Sequence, residues 1–122
     1  MNRNWYALGL LAILVLGLCA AGRFVNASIQ SVDEDLMLAY SYAESGEYQT
    51  AQQRFDDVAE KARQYSPLWM LLVRRNLVDQ LNQTLATIPA YATKENRSDL
   101  AVETARARTQ AEQIRQSFFS WF

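Results

Sequence analysis

Hydrophobic and polar positions divide the chain at Arg23. Between Arg3 and Arg23 no side chain is charged, and Trp5 to Gly22 (WYALGLLAILVLGLCAAG) is apolar almost throughout. Beyond it, apolar residues recur at alternating spacings of four and three, the pattern of one buried helix face. Val25, Ile29, Val32, Leu36, Ala39 and Ala43 form a first stripe, and Tyr48, Ala51, Phe55, Val58, Ala62 and Tyr65 a second. Leu71, Val78, Leu81, Leu85 and Ile88, widened by Leu77, form a third. Leu100, Thr104, Ala107, Ala111, Ile114, Phe118 and Trp121 complete the set. No stretch carries a convincing period of two. The pattern predicts an all-α protein: an N-terminal transmembrane helix followed by a small antiparallel bundle of about four helices.

Local punctuation places the turns. Ser45-Gly46 ends the first helix, since glycine accepts the left-handed conformation found just past a helix end. Ser66-Pro67 reads as a start signal for the third helix, with Ser as cap and Pro at the first helical position. Ile88-Pro89 should kink or stop that helix. Thr93 to Arg97 is polar enough for a turn, with Ser98 as the cap of the last helix. Nothing between Gly22 and Asn26 forces a break, so the first helix can run straight out of the apolar segment.

That segment, Trp5–Gly22, holds some 18 residues and as a helix would extend about 27 Å, near the lower end of what crosses a bilayer. Trp5 and Tyr6 stand where amphipathic rings favour the headgroup level. The leading division is residues 1–23 as a membrane anchor and 24–122 as an extracytoplasmic helical domain, with the N-terminus cytoplasmic. A cleavable signal peptide is the rival reading, with Ala20-Ala21-Gly22 as its small-residue site. Lipidation of Cys19 fits poorly, because Leu18 precedes it where a small residue is needed.

Composition narrows the function classes. The 122 residues suffice for one small domain. There is no His and one Cys, which removes His-based catalysis, most metal clusters and disulfide scaffolds. Twelve Lys and Arg against thirteen Asp and Glu give no electrostatic footprint for nucleic acid. The paired carboxylates Asp33-Glu34-Asp35 and Asp56-Asp57 sit next to one another in helices, where neighbours point about 100° apart. They therefore lie mostly on solvated faces and do not converge as an acid–base pair would.

Two resemblances emerge from these residues. Leu38, Ala39, Tyr42, Gly46, Tyr48, Ala51 and Phe55 resemble a single tetratricopeptide helix hairpin, in which small and aromatic residues pack across a turn. No second such unit follows, and one hairpin makes no peptide groove. The longer layout combines a short anchor, Gly46-Glu47-Tyr48-x-x-Ala51, Ser66-Pro67-Leu68-Trp69, then Leu77, Leu81, Leu85, Ile88 and Tyr91, and finally Leu100-Ala101-x-Glu103. It resembles the single-anchor bacterial proteins of domain-of-unknown-function family 4363. That resemblance implies a bacterial origin, one anchor and a helical outer part with no assigned activity.

The candidates left are contact residues, not catalytic ones: Tyr42, Tyr48, Trp69, Arg74, Phe119 and Phe122. Arg74 interrupts the third stripe at an inward-facing position, where a guanidinium fork would meet an anion or a partner carboxylate, or lay its stem on the bundle. Phe119 and Phe122 fall off the last stripe, in a terminus dense in aromatic rings, and suit a membrane surface, a partner or another copy. The expected function is that of a membrane-anchored interaction protein, an adaptor or accessory subunit of an envelope complex. It would be no enzyme and need no cofactor; its partners would be the membrane, through Trp5–Gly22, and unidentified proteins, possible self-association included. The alternative is a ligand- or lipid-binding sensory module, which requires a pocket between helices lined by Tyr and Trp.

Overall fold

Alternating four-three stripes without a break are what a long helix needs to stay against its neighbours, and the first stripe follows that rule without interruption. The computed structural model describes residues 2–120, and Trp121 and Phe122 lie outside the described residues. Helix α1 spans Asn2–Glu44, α2 Tyr48–Leu72, α3 Arg75–Tyr91 and α4 Arg97–Phe119, with no strand among the described residues. Each helix packs against its neighbour in sequence, and α4 closes back onto α1. The result is an up-and-down four-helix bundle whose first helix extends out of it as the apolar segment.

The distal turn closes as the Ser45-Gly46 pair predicts. Gly46 has φ +84°, the Gly46 amide donates to Ala43 O at 3.1 Å, and the Glu47 amide donates to Tyr42 O at 2.9 Å. These two bonds satisfy carbonyls that the end of α1 would otherwise leave unpaired. Tyr48 begins α2 directly, so Ala39 and Ala43 of α1 come to lie in one core with Ala51 and Phe55 of α2.

The α2–α3 boundary departs from the sequence expectation. Helix α2 does not stop at Ser66-Pro67 but continues to Leu72, with Pro67 inside it, and α3 begins only at Arg75. The second stripe in fact extends through Ser66, Trp69 and Val73, all buried. Ser66 is polar, which hides the continuity in a hydrophobicity pattern. Its hydroxyl donates to Ala62 O at 2.6 Å and accepts from Asn82 Nδ2 at 2.8 Å, so it sits in the core without an unmet bond. Pro67 faces solvent, where the carbonyl deprived of its amide is reached by water. Leu71, placed in the third stripe by its spacing, is 81% exposed because it lies off the extended α2 stripe. The chain turns instead at Val73 and Arg74, both with extended backbone.

The remaining ends shift by less. Helix α3 runs two residues past Pro89 to Tyr91, and α4 starts at Arg97 behind Asn96 rather than behind Ser98. The fourth stripe is buried from Leu100 to Phe118.

Trp69, Phe55, Leu36, Leu81, Leu85, Ile88, Leu100 and Ile114 are the largest fully buried side chains. Each such Leu or Ile contributes about 1.5–3 kcal/mol by leaving water. Between them sit Ala39, Ala51, Ala62, Ala107 and Ala111, all buried, which let the helices approach closely. One polar chain crosses this interior: Trp69 Nε1 donates to Ser28 Oγ at 2.8 Å, and Ser28 Oγ donates to Val25 O at 3.1 Å.

Candidate functional site at the anchor end of the bundle

Helix directions bring four segments to the level where α1 leaves the bundle: Gly22–Asn26 of α1, the last turns of α2, the start of α3 and the end of α4. Gly22 is buried there although it closes the apolar segment. A methyl group on it would stand 3.4 Å from Phe118 Cε1 and 3.6 Å from Phe119 Cε1, so both rings lie over its backbone. Phe118 and Phe119 meet edge to face, with ring centroids 5.2 Å apart. Phe119 remains 42% exposed. Beside the rings runs a groove of about 540 Å³, bounded by Val15, Leu18, Cys19, Gly22, Arg23 and Asn26 of α1 and by Phe118 and Phe119 of α4. Its walls are almost wholly carbon.

On the neighbouring corner, Phe24 packs edge to face on Tyr65 at 5.8 Å, and Tyr65 lies tilted against Trp69 at 5.5 Å. Just outside this aromatic row, Leu68 and Leu71 point into solvent. Arg74 is exposed and bounds a second groove with Leu77 and with Gln113, Gln116, Ser117 and Ser120 of α4. It does not face inward as its place in the sequence pattern suggested, because the helix that would have turned it there begins one residue later. Arg75 lies 3.9 Å from Asp79 in an exposed pair.

A more polar groove of about 640 Å³ follows the α1–α4 seam past Asn26, Gln30, Asp33, Arg108, Glu112 and Arg115. Arg108 grips Asp33 with two nitrogens, at 2.7 and 3.3 Å, and this contact raises the Arg108 pKa. Hydrogen bonding from Arg115 holds the Glu112 carboxyl below its ordinary range. On the other side of α1, Lys61 of α2 reaches Asp35 at 2.9 Å and also bonds Ser31. The acidic run therefore splits by helix geometry: Asp33 ties α1 to α4, Asp35 ties it to α2, and Glu34 faces outward. Its role is to brace the bundle.

The contact candidates do not form one cluster. Tyr42 and Tyr48 are half-buried at the distal turn, where the Arg54 guanidinium lies 5.8 Å from the Tyr42 ring. Tyr40, nearby, has its pKa raised by burial and then by its hydrogen bond with Glu44. Trp69 is fully enclosed and offers no surface to a partner; its size and its indole N–H serve the core instead. Phe119 is at the anchor end, 6.0 Å from the Arg115 guanidinium, while Phe122 lies outside the described residues. Sequence reasoning missed Arg23 beside Phe119, and Leu68 and Leu71 as exposed residues at the same end of the bundle. The signal that could have joined them was the polar Ser66 one helical turn after Ala62, which keeps α2 going and carries Leu68 and Leu71 to the anchor.

Among the described residues no group of three His, Cys, Asp or Glu stands close enough to hold a metal ion. The family model described as Domain of unknown function (DUF4363) matches residues 20–118, which include the junction with the apolar segment and the bundle up to Phe118. No curated protein and no solved structure matches the chain.

Proposed function

This chain belongs to the DUF4363 family, and we propose that it is a single-pass, membrane-anchored helical module that acts by contact, as an adaptor or accessory subunit of a bacterial envelope complex. The observation that carries this reading is α1: the same unbroken helix is long and apolar enough at its N-terminal end to cross a membrane and forms one wall of the bundle at the other. Cleavage at Ala20-Ala21-Gly22 would strip Gly22 from beneath Phe118 and Phe119 and bare both rings, which favours a retained anchor. A cytoplasmic N-terminus and an extracytoplasmic bundle are part of this reading. No catalytic step is assigned to it. Its interior is filled by Trp69, Phe55 and alanines, which supports a contact role over a ligand pocket between the helices.

The surface offered to a partner is the distal turn, with Tyr42 and Tyr48. Crosslinking and affinity capture of the full-length protein from its native membrane tests the reading. Specific partners, or a second copy, should be retained by wild type and lost with Tyr42→Ala/Tyr48→Ala while thermal unfolding is preserved. Capture that is indifferent to both substitutions would defeat it.

A further inference from the structure

We propose that the anchor end of the bundle is a phospholipid-binding face, on which Leu68, Leu71 and Phe119 enter the interfacial layer while Arg23, Arg74 and Arg75 hold anionic headgroups. The inference rests on the reading of α1 as a retained anchor and goes beyond it by naming what the bundle's base touches.

Height comes first. Trp5–Gly22 as a helix covers about 27 Å, some 3 Å short of a typical hydrocarbon core of about 30 Å. Trp5 and Tyr6 favour the headgroup level at the other end, so Gly22 is drawn to the edge of the hydrocarbon or into it. The ring of Phe119 lies over Gly22, at the same level. The α2–α3 turn is placed at that level too, since Arg74 lines one groove with Ser117 and Ser120, which flank Phe118 and Phe119 in α4. Leu68 at 50%, Leu71 at 81% and Phe119 at 42% exposure would otherwise be apolar area turned to water at one end of a small bundle.

Charge follows the same axis. Within residues 22–26, 65–78 and 116–120 the charged side chains are Arg23, Arg74 and Arg75, and the carboxylates that border these segments, Asp79 and Glu112, are each paired with an arginine, Arg75 and Arg115. The rest of the bundle carries an acidic excess that an anionic membrane would repel, so only this end can approach it closely. Two of the arginines stand where α3 begins, at a helix N-terminus with no side-chain cap, where the helix dipole adds to their positive charge. The occupant that supplies apolar depth and anionic oxygens together, at the height fixed by α1, is the phospholipid of the membrane that α1 crosses.

The test uses the full chain with Cys19→Ser, labelled through Leu71→Cys with a polarity-sensitive fluorophore, and through Glu47→Cys at the distal turn as the aqueous reference. It is reconstituted in vesicles of phosphatidylcholine alone and of phosphatidylcholine with phosphatidylglycerol. Flotation of each sample checks the anchor independently of the label. The proposal expects the label at position 71 to be shielded from iodide and quenched by headgroup-level spin-labelled lipid in the anionic vesicles. Arg74→Gln/Arg75→Gln should reduce the shielded-to-exposed ratio by about fivefold per arginine, the equivalent of about 1 kcal/mol each near an anionic surface. Both arginines are exposed, so the fold is not at risk. A label at 71 as accessible as the one at 47, in a protein that floats, overturns the proposal and leaves the anchor intact. Shielding that ignores both the anionic lipid and the arginines overturns it as well, and shielding that fades as protein is diluted in lipid assigns the face to a second copy. A protein that does not float overturns the anchor and this inference together.

Discussion

Trp69 and Ser28, forty-one positions apart, share a buried hydrogen bond of 2.8 Å between the indole N–H and the hydroxyl oxygen. The bond fixes α2 against α1 close to the point where α1 leaves the bundle. Both residues are almost fully removed from water, at 0% and 3% exposure, so neither group has solvent to fall back on.

Ser28→Ala should therefore cost about 1–3 kcal/mol, the penalty of stranding a buried indole N–H. Trp69→Phe removes the donor and part of the ring. The double substitution should cost less than the sum of the two single ones, because the stranded donor is then absent. Thermal unfolding of the four proteins in one detergent measures the coupling; strict additivity would refute the pairing.

Gly46→Ala should destabilise by about 1–2 kcal/mol, since a side chain at φ +84° meets its own backbone although nothing else lies within reach. Gly46→Asn should cost less, Asn being the residue that best tolerates that region after Gly. Chemical denaturation of the three proteins gives the order.

Pro67→Ala is expected to stabilise. Pro67 sits inside α2 on its solvent side and withholds an amide from the helix, and interior prolines cost up to about 3 kcal/mol relative to alanine. A rise in Tm supports the continuous α2, whereas a fall would mean that the proline begins a helix.

Four stripes at four-three spacing determined the number of helices and most of the buried set, though not Trp69, its largest side chain, because a bundle of thin stripes leaves each apolar position little choice. Ser66-Pro67 misplaced the α2–α3 turn because the same dipeptide that opens a helix can sit within one when the serine is bonded in the core. Deciding between the two requires Asn82, sixteen residues away, whose amide reaches the Ser66 hydroxyl. The anchor end was legible only in part: Phe119 stood out as an off-stripe aromatic, but Leu71 looked like core and Trp69 like surface. Both errors come from the same shifted boundary.

Gly22→Ala should leave stability unchanged or raise it, because the added methyl makes ordinary contacts with Phe118 and Phe119 and alanine favours the helix by about 1 kcal/mol. Gly22→Leu would drive into both rings and should cost about 1–3 kcal/mol through overpacking. Unfolding of the detergent-solubilised pair, compared with wild type, separates the two outcomes.

Acid should weaken the α4 surface in a defined direction. Arg115 lowers the folded-state pKa of Glu112 from its ordinary 4.5. The contribution of the pair is complete above pH 4.5 and is lost as pH falls through the depressed folded-state value. The pair is well exposed, so the effect is small. Tm measured against pH should fall slightly less steeply on the acid side in Glu112→Gln than in wild type, and parallel curves would contradict the shift.

Helix α1 passes from the apolar segment into the bundle with no proline, no kinking loop and a glycine that two phenyl rings clamp in place. A flexible tether would let the outer domain spin freely above its anchor. Here the azimuth of the anchor and that of the bundle are a single angle, so any membrane-embedded neighbour that grips one side of the anchor meets the same side of the bundle every time. Torsion applied at either end is delivered to the other.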